Sequence, residues 1–142
     1  MNFPRVALAA VSAWVLSLVV GFVVNTYVMA EVYGANAAAF RPQDQMNLAL
    51  GFGAQLVGFF AFAYMYAKGY EGTGGLQEGL RFGVLIAIVL IGFGIVWNYV
   101  VLPVDGTLAV YWVVDTLVEL ALYGMVVGAV YQPRPSPARR VP

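Results

Sequence analysis

Residues 82–102 read FGVLIAIVLIGFGIVWNYVVL. These 21 consecutive residues carry no charge and one strongly polar side chain, Asn98. A helix rises 1.5 Å per residue, so about 20 such residues cross a ~30 Å hydrocarbon core. Three further stretches repeat the pattern at about 6–29, 46–67 and 108–131. Ser12, Ser17, Asn25 and Thr26 interrupt the first, Gln55 the second, and Asp115, Thr116 and Glu119 the fourth. A β-barrel needs segments of about ten residues with alternating polarity. These runs are continuous, so the expected fold is an all-α membrane protein, a four-helix antiparallel bundle over 1–131 with a basic, Pro-rich tail at 132–142.

Composition agrees. Apolar residues make up 62% of the 142, charged residues 10%, and mean hydropathy is +0.82. A soluble domain of this size has too much surface to hide so much apolar side chain. Net charge is zero, which gives no electrostatic reason to expect nucleic acid as a partner. Cysteine and histidine are both absent. That removes disulfides, thiol chemistry, iron–sulfur clusters, the commonest metal ligand and the usual general base. No metal and no cofactor is expected, and no nucleophile–base pair or phosphate loop marks an enzyme.

The basic residues set an expected orientation. Arg5, Lys68, Arg81, Arg134, Arg139 and Arg140 fall on one side of the four spans, and Arg41 alone falls on the other. The positive-inside rule then puts both termini in the cytoplasm. Tyr27, Tyr33, Trp97, Tyr99, Tyr111 and Trp112 read as an outer aromatic belt, and Tyr64, Tyr66, Tyr70 and Tyr131 as an inner one. The longest loop, 30–45, lies outside in this orientation. Its 36–40 stretch reads as a short interfacial helix ending before Pro42.

Polar residues inside the spans are the candidate site. By helical rise, Asn25 and Asn98 lie roughly 6 Å below the outer boundary, Asp115 roughly 10 Å, Gln55 roughly 13 Å and Glu119 roughly 16 Å. All five fall in the outer half and come from four helices, so the expectation is one intramembrane polar cluster. Asp115 and Glu119 share a helix face at i and i+4. Two like charges in low dielectric resist joint ionisation, so one carboxyl is expected to keep its proton. The pair reads either as a hydrogen-bonded structural element or as a proton or cation site.

Small residues mark where helices approach. Gly21, Gly58 and Gly94 lie on the stripes that carry the polar residues, so these faces are expected to turn inward. Gly124 and Gly128 form a GxxxG pair on another face, expected to pack within the bundle. At the cytoplasmic mouth, Glu78 and Arg81 are spaced to pair. Gly21 to Asn25 and Gly94 to Asn98 share a Gly-x-x-x-Asn pattern, which hints at a duplicated helical hairpin.

The stretch Gly75-Leu76-Gln77-Glu78-Gly79-Leu80-Arg81-Phe82-Gly83 precedes an apolar span, a short turn and a last span ending Gly128-Ala129-Val130-Tyr131. This resembles uncharacterised bacterial four-helix inner-membrane proteins, in which a Glu-Gly-x-x-x-Gly segment opens the third helix. The resemblance implies the fold and a multi-pass place in a bacterial inner membrane. It lends no catalytic residue. The functional expectation is an accessory or scaffold subunit beside a larger membrane-protein complex. The alternative is a homodimeric transporter or a proton or cation conduit using Asp115 and Glu119.

Overall fold

The structure is a computed structural model that describes residues 1–73 and 75–132. The basic tail expected over 132–142 therefore lies almost wholly outside the described residues. The described residues form helices and no strand. Helix α1 (Phe3–Val23) runs on through a π-helical turn at Val24–Val28. A short α2 (Ala30–Ala35) and two 3-10 turns lead to α3 (Leu48–Lys68). Helix α4 (Gly75–Leu90) continues through a π turn at Ile91–Ile95 into α5 (Val96–Val101), and α6 (Gly106–Val130) closes the chain. Four continuous rods result, Phe3–Val28, Leu48–Lys68, Gly75–Val101 and Gly106–Val130, each long and apolar enough to cross a membrane.

Each start has a physical cause. Asn2 caps α1 by accepting from the Arg5 N–H, with Pro4 fitting the first turn where no donor is needed. Asn47 caps α3 through the Leu50 N–H, and Asp105 caps α6 through the Leu108 N–H. The α3–α4 turn relies on Gly72, whose φ of 76° suits glycine.

Helices α4 and α6 are antiparallel and nearly touch backbone to backbone. Gly75 faces Gly128, Gly79 faces Gly124, and Gly83 faces Leu120. A methyl group on any of these glycines would overlap the carbonyl oxygen of its partner. Gly124 and Gly128 thus pack inside the bundle, on the α4 glycines. Helix α1 lies between α3 and α6. The core is aromatic: Phe59 of α3 packs on Tyr123 of α6, and Phe62 and Tyr66 on Phe82 of α4. Ala9, Ala10 and Ala13 let α1 approach this core closely.

All of this packing belongs to one end, where residues 3, 68, 75 and 130 meet. We call it the basic end. Toward the far end the rods diverge. From Leu48 to Gly58 only Leu56 of α3 is partly covered, and Val96–Val101 is exposed throughout. Gly58 and Gly94 have no neighbour that an added methyl would meet. Gly21 meets only the Asn25 side chain of its own helix. The expected inward stripe through Gly21, Gly58 and Gly94 is therefore corrected. In the third rod the cause is the π turn. Gly83 and Ala87 before it are buried, but a wide turn adds a residue and rotates the following face by about 100°. Gly94 and Asn98 leave the packed stripe as a result. The two π turns also fall at different places relative to the Gly-x-x-x-Asn pattern, so that pattern is not repeated in local structure.

Candidate functional site

The five polar residues divide among three surfaces and do not form the single expected cluster. Asn25 is exposed, and its Nδ2 donates to the Gly21 carbonyl at 2.7 Å. The Asn25 amide thus shares the Gly21 carbonyl with the Val24 N–H where α1 passes into the π turn. Gln55, also exposed, faces Asn25 across an open groove between α1 and α3 that Trp14, Ser17 and Phe52 help to line. Asn98 stands alone on the outward face of α5.

Asp115 and Glu119 do stay together, half-buried on the side of α6 that faces α1. Asp115 forms the polar floor of a second groove, walled by Val24, Val28, Met29 and Val114. Tyr123 continues the stripe one turn below Glu119. It is 3% exposed, and its hydroxyl has no hydrogen-bond partner among the described residues. The Glu119 carboxyl is turned toward that hydroxyl without meeting hydrogen-bond geometry. Arg41 is exposed in the loop above. Asp115, Glu119 and Tyr123 therefore present two carboxyls and one unused phenol in the middle of a helix, a set that can hold or pass a proton.

That stripe is roofed by the loop before α3. The 36–40 stretch forms a 3-10 turn at Ala37–Ala39, preceded by α2. Asn36 clasps Asp105 twice: its Nδ2 donates to Asp105 Oδ2 at 3.0 Å, and its Oδ1 accepts the Asp105 N–H at 2.9 Å. The Trp112 indole donates to the Tyr33 hydroxyl at 3.0 Å, and Phe40 packs edge-on against both rings. Backbone donation from Leu108, then Asn36, holds the Asp105 carboxyl below its ordinary value. Burial, reinforced by the nearby Asp115 and Glu119 charges, raises the Tyr33 hydroxyl above its own, although the Trp112 bond works the other way. Tyr33 and Trp112, read from sequence as belt residues, are roof residues here.

The basic end also differs from expectation. Glu78 is buried and does not pair with Arg81, which is exposed. Its carboxylate accepts from the Glu71 N–H at 2.6 Å, the Thr73 N–H at 3.1 Å and the Thr73 hydroxyl at 3.4 Å. The reason is position. Glu78 sits in the first turn of α4, beside unpaired loop donors that satisfy a carboxylate better than a solvated guanidinium does. Tyr66 and Tyr131 are likewise core residues, and with Tyr70 they form an edge-to-face trio.

Sequence reasoning missed this carboxylate latch and the Asn36–Asp105 clasp. Asp105 before Gly106 is a helix-cap signal, but nothing local identifies its partner 69 residues away. No group of acidic residues suited to a metal ion occurs among the described residues. No known family model, curated protein or solved structure matches this chain.

Proposed function

We propose that the chain is a multi-pass membrane protein that serves as an accessory or scaffold subunit, offering the far halves of its third and second rods to other transmembrane helices. One observation carries the reading: Asn98 and Gln55 are exposed on diverging, otherwise apolar rods, at a depth where they would meet lipid tails. An amide facing hydrocarbon gains about 0.6–2 kcal/mol from an interhelical hydrogen bond, so such a face favours a partner. The positive-inside asymmetry supports a cytoplasmic basic end, and the resemblance noted above supports a bacterial inner membrane.

The chain has no cysteine, so single-cysteine crosslinking is clean. Asn98→Cys and Gln55→Cys should each crosslink to a different protein in native membranes. Crosslinks to lipid analogues alone would sink the proposal. Crosslinks only to a second copy would favour the other reading, a homodimeric proton or cation conduit. That second reading is supported by the Asp115–Glu119–Tyr123 stripe and its unpartnered hydroxyl. Its own test is a pH-driven flux in liposomes that Glu119→Gln abolishes while the protein still folds.

A further inference from the structure

At the basic end, α1 starts where α3 and α6 finish. The three ends enclose an open cleft of about 840 Å³, lined by Asn2, Arg5, Lys68, Tyr70 and Tyr131 among others. Among the described residues no acidic side chain lines it. The Glu78 carboxylate is turned into the α3–α4 loop, where it holds the Glu71 and Thr73 N–H groups. Lys68 keeps its ammonium 5.6 Å from the Tyr64 ring centroid, a contact that steadies the side chain, and it forms no ion pair among the described residues. Tyr131 is 2% exposed, and its hydroxyl oxygen accepts from the Asn2 N–H at 3.5 Å. The hydroxyl proton has no acceptor among the described residues.

Two cations of different kinds, a buried hydroxyl with a free proton and a second tyrosine thus converge on one cleft. Arginine supplies a planar fork that matches two oxygens of a phosphate, and lysine supplies a compact point charge. The cleft's level selects the source of the phosphate. It lies where three apolar rods end, beside exposed Leu8, one turn beyond Pro4, and exposed Tyr64, one turn before Lys68. A phosphate held there has apolar surface next to it that suits acyl chains.

We infer that the cleft between the ends of α1, α3 and α6 is a headgroup site for an anionic glycerophospholipid, with Arg5 and Lys68 on the phosphate and Tyr70 and Tyr131 donating to it. This goes beyond the accessory role and requires only that the chain be membrane-embedded, which membrane fractionation tests separately.

The test uses the full chain in neutral detergent and counts retained lipid by native mass spectrometry. Phosphatidylglycerol and phosphatidylcholine of matched chains are the probes. The wild type should retain phosphatidylglycerol in preference. A basic residue near an anionic headgroup is worth about fivefold in affinity, so Arg5→Gln with Lys68→Gln should weaken retention roughly thirty-fold. Arg81→Gln, a charge loss away from the cleft, should change it by less than about twofold. An unchanged melting temperature in neutral detergent shows that the double variant folds. If it does not fold, Arg5→Gln alone carries the test, with a loss of about fivefold. Equal retention of the two lipids, or an equal loss in Arg81→Gln, overturns the site. Displacement of the lipid by millimolar inorganic phosphate as readily as by phosphatidylglycerol overturns the assignment to lipid.

Discussion

The two ends of this bundle are built on different principles. At the basic end, four rods meet through glycine-to-backbone contact between α4 and α6 and through the aromatic core of Phe59, Phe62, Tyr66, Phe82 and Tyr123. At the far end the same rods diverge past two π turns. There contact is confined to the roof, where Met29 and Leu108 are buried, Phe40 packs on Tyr33 and Trp112, and directed bonds join Asn36 to Asp105 and Trp112 to Tyr33. In hydrocarbon, helices gain little from hiding apolar surface, because lipid tails are equally apolar. Close packing and hydrogen bonding decide which faces meet. The basic end relies mainly on the first, whereas the far end adds directed bonds to a small packed roof and leaves the faces of Leu48–Gly58 and Val96–Val101 open.

The largest effect should come from breaking the glycine contact. Gly79→Leu or Gly124→Leu places a side chain where the opposing carbonyl stands and forces α4 from α6. The cost should exceed about 3 kcal/mol, at the upper limit of ordinary overpacking, because the obstacle is backbone and cannot turn aside. Melting in mild detergent measures it. A melting temperature within a few degrees of wild type would mean that the α4–α6 interface is not the bundle's main contact.

Next in size is the latch on the same end. Glu78→Ala strands the Glu71 and Thr73 N–H groups, and hydrogen bonds to a charged group are worth about 1.5–3 kcal/mol. A loss near 2 kcal/mol is expected, with earlier proteolysis over 69–73. Arg81→Ala should leave both unchanged. Equal losses in the two variants would restore the Glu78–Arg81 pair expected from spacing.

The far-end clasp should matter less and should depend on pH. Asp105 has a folded value below its ordinary 3.8, so the clasp and helix cap contribute fully above that value. Their contribution fades as pH falls through the lowered folded value. Asn36→Ala should therefore lower the melting temperature slightly at pH 7 and make little difference in strong acid. An Asn36→Ala deficit that is the same at pH 7 and at pH 2 would show that Asn36 acts by packing alone.

Much of the architecture was legible in the sequence, because the bilayer thickness sets a length scale that any apolar run of 20 residues meets. The four rods follow from it, and the packing role of Gly124 and Gly128 follows from their small-residue spacing. The far end was not legible, because a straight 3.6-residue helix was assumed through Asn25 and Asn98. A π turn leaves no local mark in Ile91–Ile95, yet it rotates every later side chain. Tyr66 and Tyr131 were misplaced for a related reason. Aromatic residues near a span's end suit a belt and a core equally well, and only the neighbouring helices decide. The Asp115–Glu119 pair was found because i, i+4 spacing survives within one rod. Its roof was not, since the clasp joins residues distant in sequence.

The smallest effect is the most informative about the open faces. A methyl group added at Gly58 or Gly94 would meet nothing within 4 Å. Gly58→Leu and Gly94→Leu should not destabilise the isolated chain in detergent by more than about 0.5 kcal/mol, as for surface positions. Replacing glycine in a helix also recovers up to about 1 kcal/mol of helix propensity, so slight stabilisation is the direction expected. The same variants examined in native membranes separate two cases. If these faces meet only lipid, added bulk is harmless there too. If helices of another protein pack on them, Leu at Gly94 blocks approach beside Asn98, and recovery of the partner should fall although the isolated chain is unharmed. A large loss of stability in the isolated chain would contradict the open far end itself. It would mean that the α3 and α5 faces close on each other in solution, and the contrast between the two ends would vanish.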